Sequence, residues 1–201
     1  MEHASMNRIY LASRSPRRAE LLTQIGITYT ILPSDIDESV YNAEEAQAYV
    51  LRLARAKAEA CGHALAVIDL PVLAADTTVC VNQQILGKPA DDDDAVAMLQ
   101  ALSGQWHEVH TAIALLTVNN IEVALSSTRV KMAQLSRDVI AAYAASGEPR
   151  DKAGAYGIQG LGGTLIERIE GSYSGVMGLP LFETASLLRK AGMQIPQSCQ
   201  S

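Results

Sequence analysis

Cysteine is scarce in this 201-residue chain, and its placement excludes more than its number. Cys61, Cys80 and Cys199 lie far apart without C-x-x-C spacing, which argues against a zinc cluster or a disulfide framework and suits a reducing cytoplasmic compartment. Long apolar runs are missing too. Ala64 to Leu70 and Pro71 to Ala75 are interrupted by Asp69 and Asp76 and fall far short of a bilayer span. The first residues, MEHASMNRIYLAS, hold no basic stretch followed by an apolar segment, so no signal peptide is expected, and Met6 offers an alternative start. Aromatic residues make up 4%, which leaves few rings for stacking on a ligand. Basic residues are outnumbered, 16 Lys and Arg against 22 Asp and Glu, for a net charge of -6. A duplex phosphate backbone is held by many Lys and Arg contacts, so neither polymeric nucleic acid nor a membrane is an expected partner. A small anion is a different matter, since it needs only a local cluster of cations. Repeats of 20–50 residues and low-complexity segments are also absent.

What is present suffices for a core: 48% hydrophobic against 19% charged residues predicts one folded domain over residues 1–201, with flexible ends at 1–7 and 193–201. The pattern predicts a strand at Arg8 to Ser13, a helix from about Arg17 to Ile25 ended by Gly26, and a short strand at Thr28 to Leu32. A helix from Ala43 to Cys61 and a buried strand from Pro71 to Val81 follow. Next come a turn with a short strand in VNQQILGKP, a helix opened by Asp91 to Asp94, and a hairpin of Glu108 to Val118 and Ile121 to Met132 around Asn119-Asn120. Ser136 caps a helix to Ala145, and residues 146–163 are too glycine-rich for any single element. A strand at Thr164 to Glu170, a second glycine loop (GSYSGVMGLP) and a helix at Leu181 to Ala191 close the chain. Helix-linked strands mixed with a hairpin predict an α/β fold with a mixed, twisted central sheet.

Two places stand out chemically. Ser13-Arg14-Ser15-Pro16-Arg17-Arg18 lies between a strand and a helix, where hydroxyls, guanidinium groups and a helix N-terminus can converge on one anion; alone it could equally be a solvated helix start. Asp76 closes an apolar strand, and a carboxylate there is costly without a partner or a metal, the bland alternative being a turn cap. Lys57 and Lys88 by themselves read as solvated charges. The Asp91 to Asp94 run suits a helix N-terminus better than a metal. His107 and His110 lack ligand spacing and fall on opposite faces of a strand, and GSYSG puts Tyr173 where a nucleophilic serine would stand. Neither a P-loop nor a dinucleotide fingerprint is present in context.

Taken together, LASRSPRRAELL, LRLARAKA, AADTTV, GKP, SG followed by His107 and Thr111, EPRDKAGAYGIQGLGG and GSYSGVMGLPL resemble the Maf family of nucleoside triphosphate pyrophosphatases. The motifs run in family order from residue 10 to about 181. The resemblance is to the branch acting on dTTP and UTP, whose marks correspond to Arg17, Thr77 and Gln159; a sister branch acting on 7-methyl-GTP differs there. It implies a two-lobed fold like that of inosine triphosphate pyrophosphatases, a cytoplasmic and often dimeric protein, and a divalent metal, Mg²⁺ or Mn²⁺. It further implies Asp76 as proton acceptor, Ser13, Ser15, Lys57 and Lys88 as triphosphate contacts, and Asp37 and Glu38 as an acidic pair that aids metal binding; whether Asp76 serves as base, as metal ligand beside Glu38, or as both is left open by the sequence. The alternatives are a 7-methyl-GTP-type pyrophosphatase of the same family and a nucleotide-binding regulator of cell division or septum formation without turnover.

Chemistry fills in the rest. Water attack on the α-phosphorus would release pyrophosphate, with Arg17, Lys57 and Lys88 neutralising it and depressing the pKa of Asp76. Uracil and thymine present O4 as acceptor beside N3–H as donor, a pair one carboxamide meets, which selects Gln159. Cytosine shows the inverse pattern, so discrimination needs neighbours that lock the amide. Tyr156 and Tyr173 are the candidates for stacking, with a buried core role as the alternative.

Overall fold

The computed structural model describes residues 7–195. The expected flexible ends lie outside these at 1–6 and 196–201, but Asn7 and residues 193–195 belong to the fold. Asn7 Nδ2 donates to the Gln194 carbonyl at 2.9 Å, Arg189 Nε donates to the Ile195 carbonyl at 2.7 Å, and Met193 is buried.

Among the described residues seven strands form one mixed sheet: β1 (Arg8–Leu11), β2 (Thr28–Ile31), β3 (Val72–Val81), β4 (Gln84–Leu86), β5 (Trp106–Leu116), β6 (Ile121–Met132) and β7 (Ile166–Glu170). Their order is β2-β1-β3-β5-β6-β7, with β4 beside β3. β1 runs parallel to β2 and β3, and the remaining pairings are antiparallel. The helices are α1 (Pro16–Gln24), α2 (Ala46–His63), α3 (Asp92–Leu102), α4 (Arg137–Ala145), α5 (Tyr173–Met177) and α6 (Leu181–Lys190).

Local chemistry accounts for the boundaries. Pro16 starts α1, where its missing N–H costs nothing. The Asp91 carboxylate accepts from the Asp94 N–H at 2.8 Å, so this run begins α3 as a cap. Ser136 caps α4 through the Val139 N–H. α2 starts three residues later than its apolar pattern suggested, because Ala43 has φ +57°, outside the helical region. Residues 148–165 hold three short 3₁₀ turns, so β7 starts at Ile166. The second glycine loop contains α5, capped by Ser172, whose hydroxyl accepts from the Gly175 N–H at 3.0 Å. Gly175 in the middle of these five residues, with Gly178 at the C-cap, gives this helix a poor intrinsic propensity.

Alternation along β3 and β5 distributes three core clusters. Leu73, Ala75, Ile113 and Leu115 pack on one face with Leu21 and Leu22 of α1 and Leu187 and Leu188 of α6. Further along that face, Val79, Val81 and Val109 pack with Leu99 of α3, Ile140 of α4 and Tyr156, forming a second lobe. Between these lie Thr77 and Thr111, directly paired in the ladder. On the other face Ala74, Ala112 and Ala114 receive Val50, Ala54 and Ala58 of α2, small residues that let the helix approach closely.

One consequence of the register creates the cleft. β3 is paired with β5 from Val72 to Cys80, but on its other side β1 reaches only Val72 and Leu73, and β4 takes up only at Val79. Among the described residues, no strand pairs with Asp76, Thr77 or Thr78 on that side. The open edge is the floor of the space between the two lobes.

Candidate active site

That space is a cleft of about 950 Å³, walled by the Ser13–Arg18 loop and helix start, the 33–40 loop, Lys57 of α2, Lys88, and residues 148–160 of the glycine loop. Asp76, Ser13, Ser15, Arg17, Lys57, Thr77, Lys88, Gln159 and Glu38 all line it. Of the residues singled out from the sequence, the acidic-pair member Asp37 and the stacking candidate Tyr173 are not in this lining; the Asp37 carboxylate accepts from the Ser39 N–H at 2.9 Å.

Pleating sends the consecutive residues Asp76 and Thr77 to opposite faces of β3. On the α2 side Asp76 is 6% exposed and its Oδ1 accepts from Lys57 Nζ at 2.6 Å. The same ammonium lies 2.7 Å from Glu38 Oε1. Lys57 therefore joins two carboxylates and is no solvated helix charge. On the α1 side Thr77 Oγ1 lies 2.9 Å from Thr111 Oγ1, which donates to the Gly175 carbonyl at 2.8 Å.

Arg18, which the sequence placed in the anion loop without a role of its own, is a central support of the site. Its guanidinium donates to the Gly178 carbonyl at 2.8 Å, to Ser13 Oγ at 3.1 Å and to Thr77 Oγ1 at 3.3 Å, tying the helix start to the sheet edge and the α5 turn. Adjacency to Arg17 was the available signal, and helical geometry divides the roles: Arg17 points across the cleft, where Nη1 meets Asp151 Oδ2 at 2.9 Å. Arg14 lies outside both roles, exposed and paired with Asp35 at 3.1 Å. Ser15 begins α1 without a capping bond from its hydroxyl.

The electrostatics correct one expectation. The Asp76 carboxyl is pushed above the usual carboxylate range, because burial outweighs the pull of Lys57 and Arg18, and the Glu38 charge adds to the rise. Glu38 is also opposed by burial, but its bond to Lys57 and the charges of Lys57, Lys88 and Arg18 prevail and hold it low. Burial lowers the Arg18 pKa, against the attraction of Asp76. The two carboxylates thus differ: Asp76 is poised to take a proton and Glu38 to stay ionised.

A divalent cation fits this donor set. A cationic group already bridges Asp76 and Glu38, both hard oxygen donors, while no cluster of three or more acidic, His or Cys ligands occurs among the described residues. One or two carboxylates completed by phosphate oxygens and water is the usual coordination of Mg²⁺.

The tyrosines divide. Tyr156 lies in the cleft floor, 5% exposed, with its hydroxyl 2.6 Å from His107 Nε2 and the two rings edge to face. Tyr173 is half-exposed on α5, away from the cleft lining and outside the core. His107 and His110 are both buried, the latter bonded to Ser127.

The chain is 74% identical to a dTTP/UTP pyrophosphatase of Methylobacillus flagellatus over 96% of each chain. It is 55% identical to the protein of that name from Bordetella parapertussis over 94% of this chain and 95% of the relative, and 52% identical to that of Hahella chejuensis over 94% of each. Among solved structures, the Ham1 protein of Staphylococcus aureus matches with a TM-score of 0.44 and 14% identity over 79% of each chain, too remote a likeness to carry argument. The model of the family described as Maf-like protein matches residues 8–191, and the chain belongs to that family.

Proposed function

We propose that this protein is a nucleoside triphosphate pyrophosphatase that hydrolyses dTTP and UTP to the monophosphate and pyrophosphate. The observation that carries it is the buried carboxylate of Asp76 at the open edge of β3, bonded to Lys57 and faced by Arg17, Arg18 and Lys88 in one cleft. The activity named for the relatives is the one this arrangement can perform.

In the reaction, the water oxygen forms a bond to the α-phosphorus as the bond to the bridging oxygen breaks, and pyrophosphate leaves with its electron pair. Asp76 accepts the water proton, a task for which its raised pKa suits it better than an ordinary carboxylate would be. Lys57 has two carboxylate partners in the free site and is placed to exchange them for phosphate oxygens. Arg17 and Lys88 take the leaving group's charge. Arg18, already committed to three protein bonds, holds Ser13 and Thr77 in place. Gln159 pairs with the O4 and N3–H edge of the pyrimidine. Asp76 and Glu38 would hold Mg²⁺ or Mn²⁺, which when bound would supply charge neutralisation at the phosphates and lower the pKa of water at the site. A homodimer in the cytoplasm completes the reading and follows from the family resemblance. No helix among the described residues is long and apolar enough to cross a membrane.

A nucleotide panel with and without Mg²⁺ or Mn²⁺, scored by pyrophosphate release, tests it. Best turnover on dTTP and UTP, abolished by chelation, is the expected result. A preference for 7-methyl-GTP, or binding without release, refutes it.

A further inference from the structure

We propose that Tyr143 and Glu148, which no part of the reaction above uses, are positioning residues that lock the base-recognition loop and so set its selectivity. The inference rests on the proposed pyrimidine specificity and names the device that enforces it.

Gln159 occupies a short excursion of the glycine loop whose two ends are pinned to one side-chain pair. Before it, the Gly157 N–H donates to the Tyr143 hydroxyl at 3.2 Å. After it, the Leu161 N–H donates to Glu148 Oε2 at 3.0 Å and the Gly162 N–H to Glu148 Oε1 at 2.9 Å. The pair is itself joined, Tyr143 OH donating to Glu148 Oε1 at 2.9 Å. Tyr143 is 5% exposed, on a helix of the second lobe's core, so the clamp is anchored in packed structure and not in another loop. The excursion closes tightly: a Cβ on Gly162 would stand 2.2 Å from the Gly157 carbonyl oxygen and 2.5 Å from the Tyr143 hydroxyl. Only glycine there lets the two ends meet.

Selectivity is where a rigid loop counts. A carboxamide recognises uracil in one orientation and cytosine in the flipped one, and the two amide ends are nearly equal in size. The Gln159 side chain has no hydrogen bond to other described residues, so the neighbours that favour one amide orientation must be the loop's own backbone groups, held in fixed positions around the base. The clamp fixes that backbone on both sides of Gln159. It also reaches the phosphate side: Lys152 Nζ donates to the Glu148 carbonyl and, at 2.8 Å, to Asp151 Oδ1, and Asp151 holds Arg17.

The test uses the full-length protein with Mg²⁺ and compares wild type with Tyr143→Phe, which keeps the buried ring, and Glu148→Gln, which keeps the shape. Steady-state kinetics on UTP and CTP should show kcat for UTP within about threefold of wild type, KM raised about tenfold and the UTP-to-CTP ratio of kcat/KM reduced about tenfold. Amide hydrogen exchange at Gly157, Leu161 and Gly162 should speed up by about tenfold or more, with β3 and β5 unaffected. Unchanged exchange overturns the clamp. Faster exchange with a wild-type UTP-to-CTP ratio, or equal losses on both nucleotides, makes the pair merely structural and overturns the selectivity role. Wild-type protein inactive on both dTTP and UTP instead refutes the proposed function, and the selectivity role falls with it.

Discussion

Replacing His107 by glutamine should flatten the acid side of the protein's stability profile. His107 is 3% exposed, its Nε2 lies 2.6 Å from the Tyr156 hydroxyl, and its Nδ1 finds no partner among the described residues. Burial pushes its pKa down from 6.5 to about 4. The folded state therefore holds fewer protons at this site than the unfolded chain does between those values, and stability rises with pH across the window. The contribution is complete above the unfolded pKa and is lost as pH falls toward the folded one. Linkage through those two values gives a loss of about 2 kcal/mol between pH 7.5 and pH 5.0 from this side chain alone. For a chain of this size that corresponds to roughly 4–8 °C in Tm. Glutamine can still bond Tyr156 but does not titrate, so the difference between the wild-type and His107→Gln curves isolates the term, and acidic groups common to both cancel. Chemical denaturation at half-unit pH steps measures it. Parallel curves for the two proteins would refute the reasoning and place the imidazole in contact with solvent or with a charge that the fold does not show.

Three further outcomes are expected. Asp76→Asn should cut turnover by about 10²-fold or more while nucleotide still binds in a fluorescence titration. Because the folded-state pKa of Asp76 is raised, its charged form opposes folding above the unfolded pKa, so the variant should be no less heat-stable than wild type at pH 7.5. Arg18→Lys should lose roughly 1–3 kcal/mol in urea unfolding, since one ammonium cannot span the Gly178 carbonyl, Ser13 and Thr77 as the guanidinium does. Gly162→Ala should lose about 2 kcal/mol or more, because its Cβ would meet the Gly157 carbonyl oxygen at 2.2 Å; a wild-type urea midpoint would show that the loop yields freely.

The parts legible in the sequence are those where one local rule decides. Alternation marked the strands, Asp91 and Ser136 announced their helices, and a lone carboxylate in the apolar run of β3 pointed to Asp76 before any partner was known. What stayed hidden depends on contacts between distant segments. Propensity forbids α5, yet a Ser172 cap and burial of Met177 in the first lobe's core stabilise it. Arg17 and Arg18 are indistinguishable as letters and diverge only because helical rotation sends one to Asp151 and the other to the sheet edge. The direction of the Asp76 shift was misjudged for the same reason: the cations were visible in the sequence, but the depth of burial was not.

The charge balance of the cleft follows from these contacts and alters the picture of a basic pocket in an acidic protein. Six cationic and six acidic side chains line the cleft, so it is formally neutral while the chain as a whole carries -6. Four of its six cations are tied to carboxylates: Lys57 to Asp76 and Glu38, Arg17 to Asp151, Arg14 to Asp35, Lys152 to Asp151. A neutral pocket does not collect anions at long range, and beyond Lys88 and Arg18 this one gains cations for a triphosphate when carboxylates give up their partners. The proposed divalent cation, arriving with the nucleotide, would solve that exchange. Bound by Asp76 and Glu38, it would offset their charge and free Lys57 for the phosphates, so that no carboxylate would be left buried and unpaired. Nucleotide affinity should therefore depend on the metal more strongly than on any single lysine, and removal of Glu38 should weaken the metal requirement and the binding together.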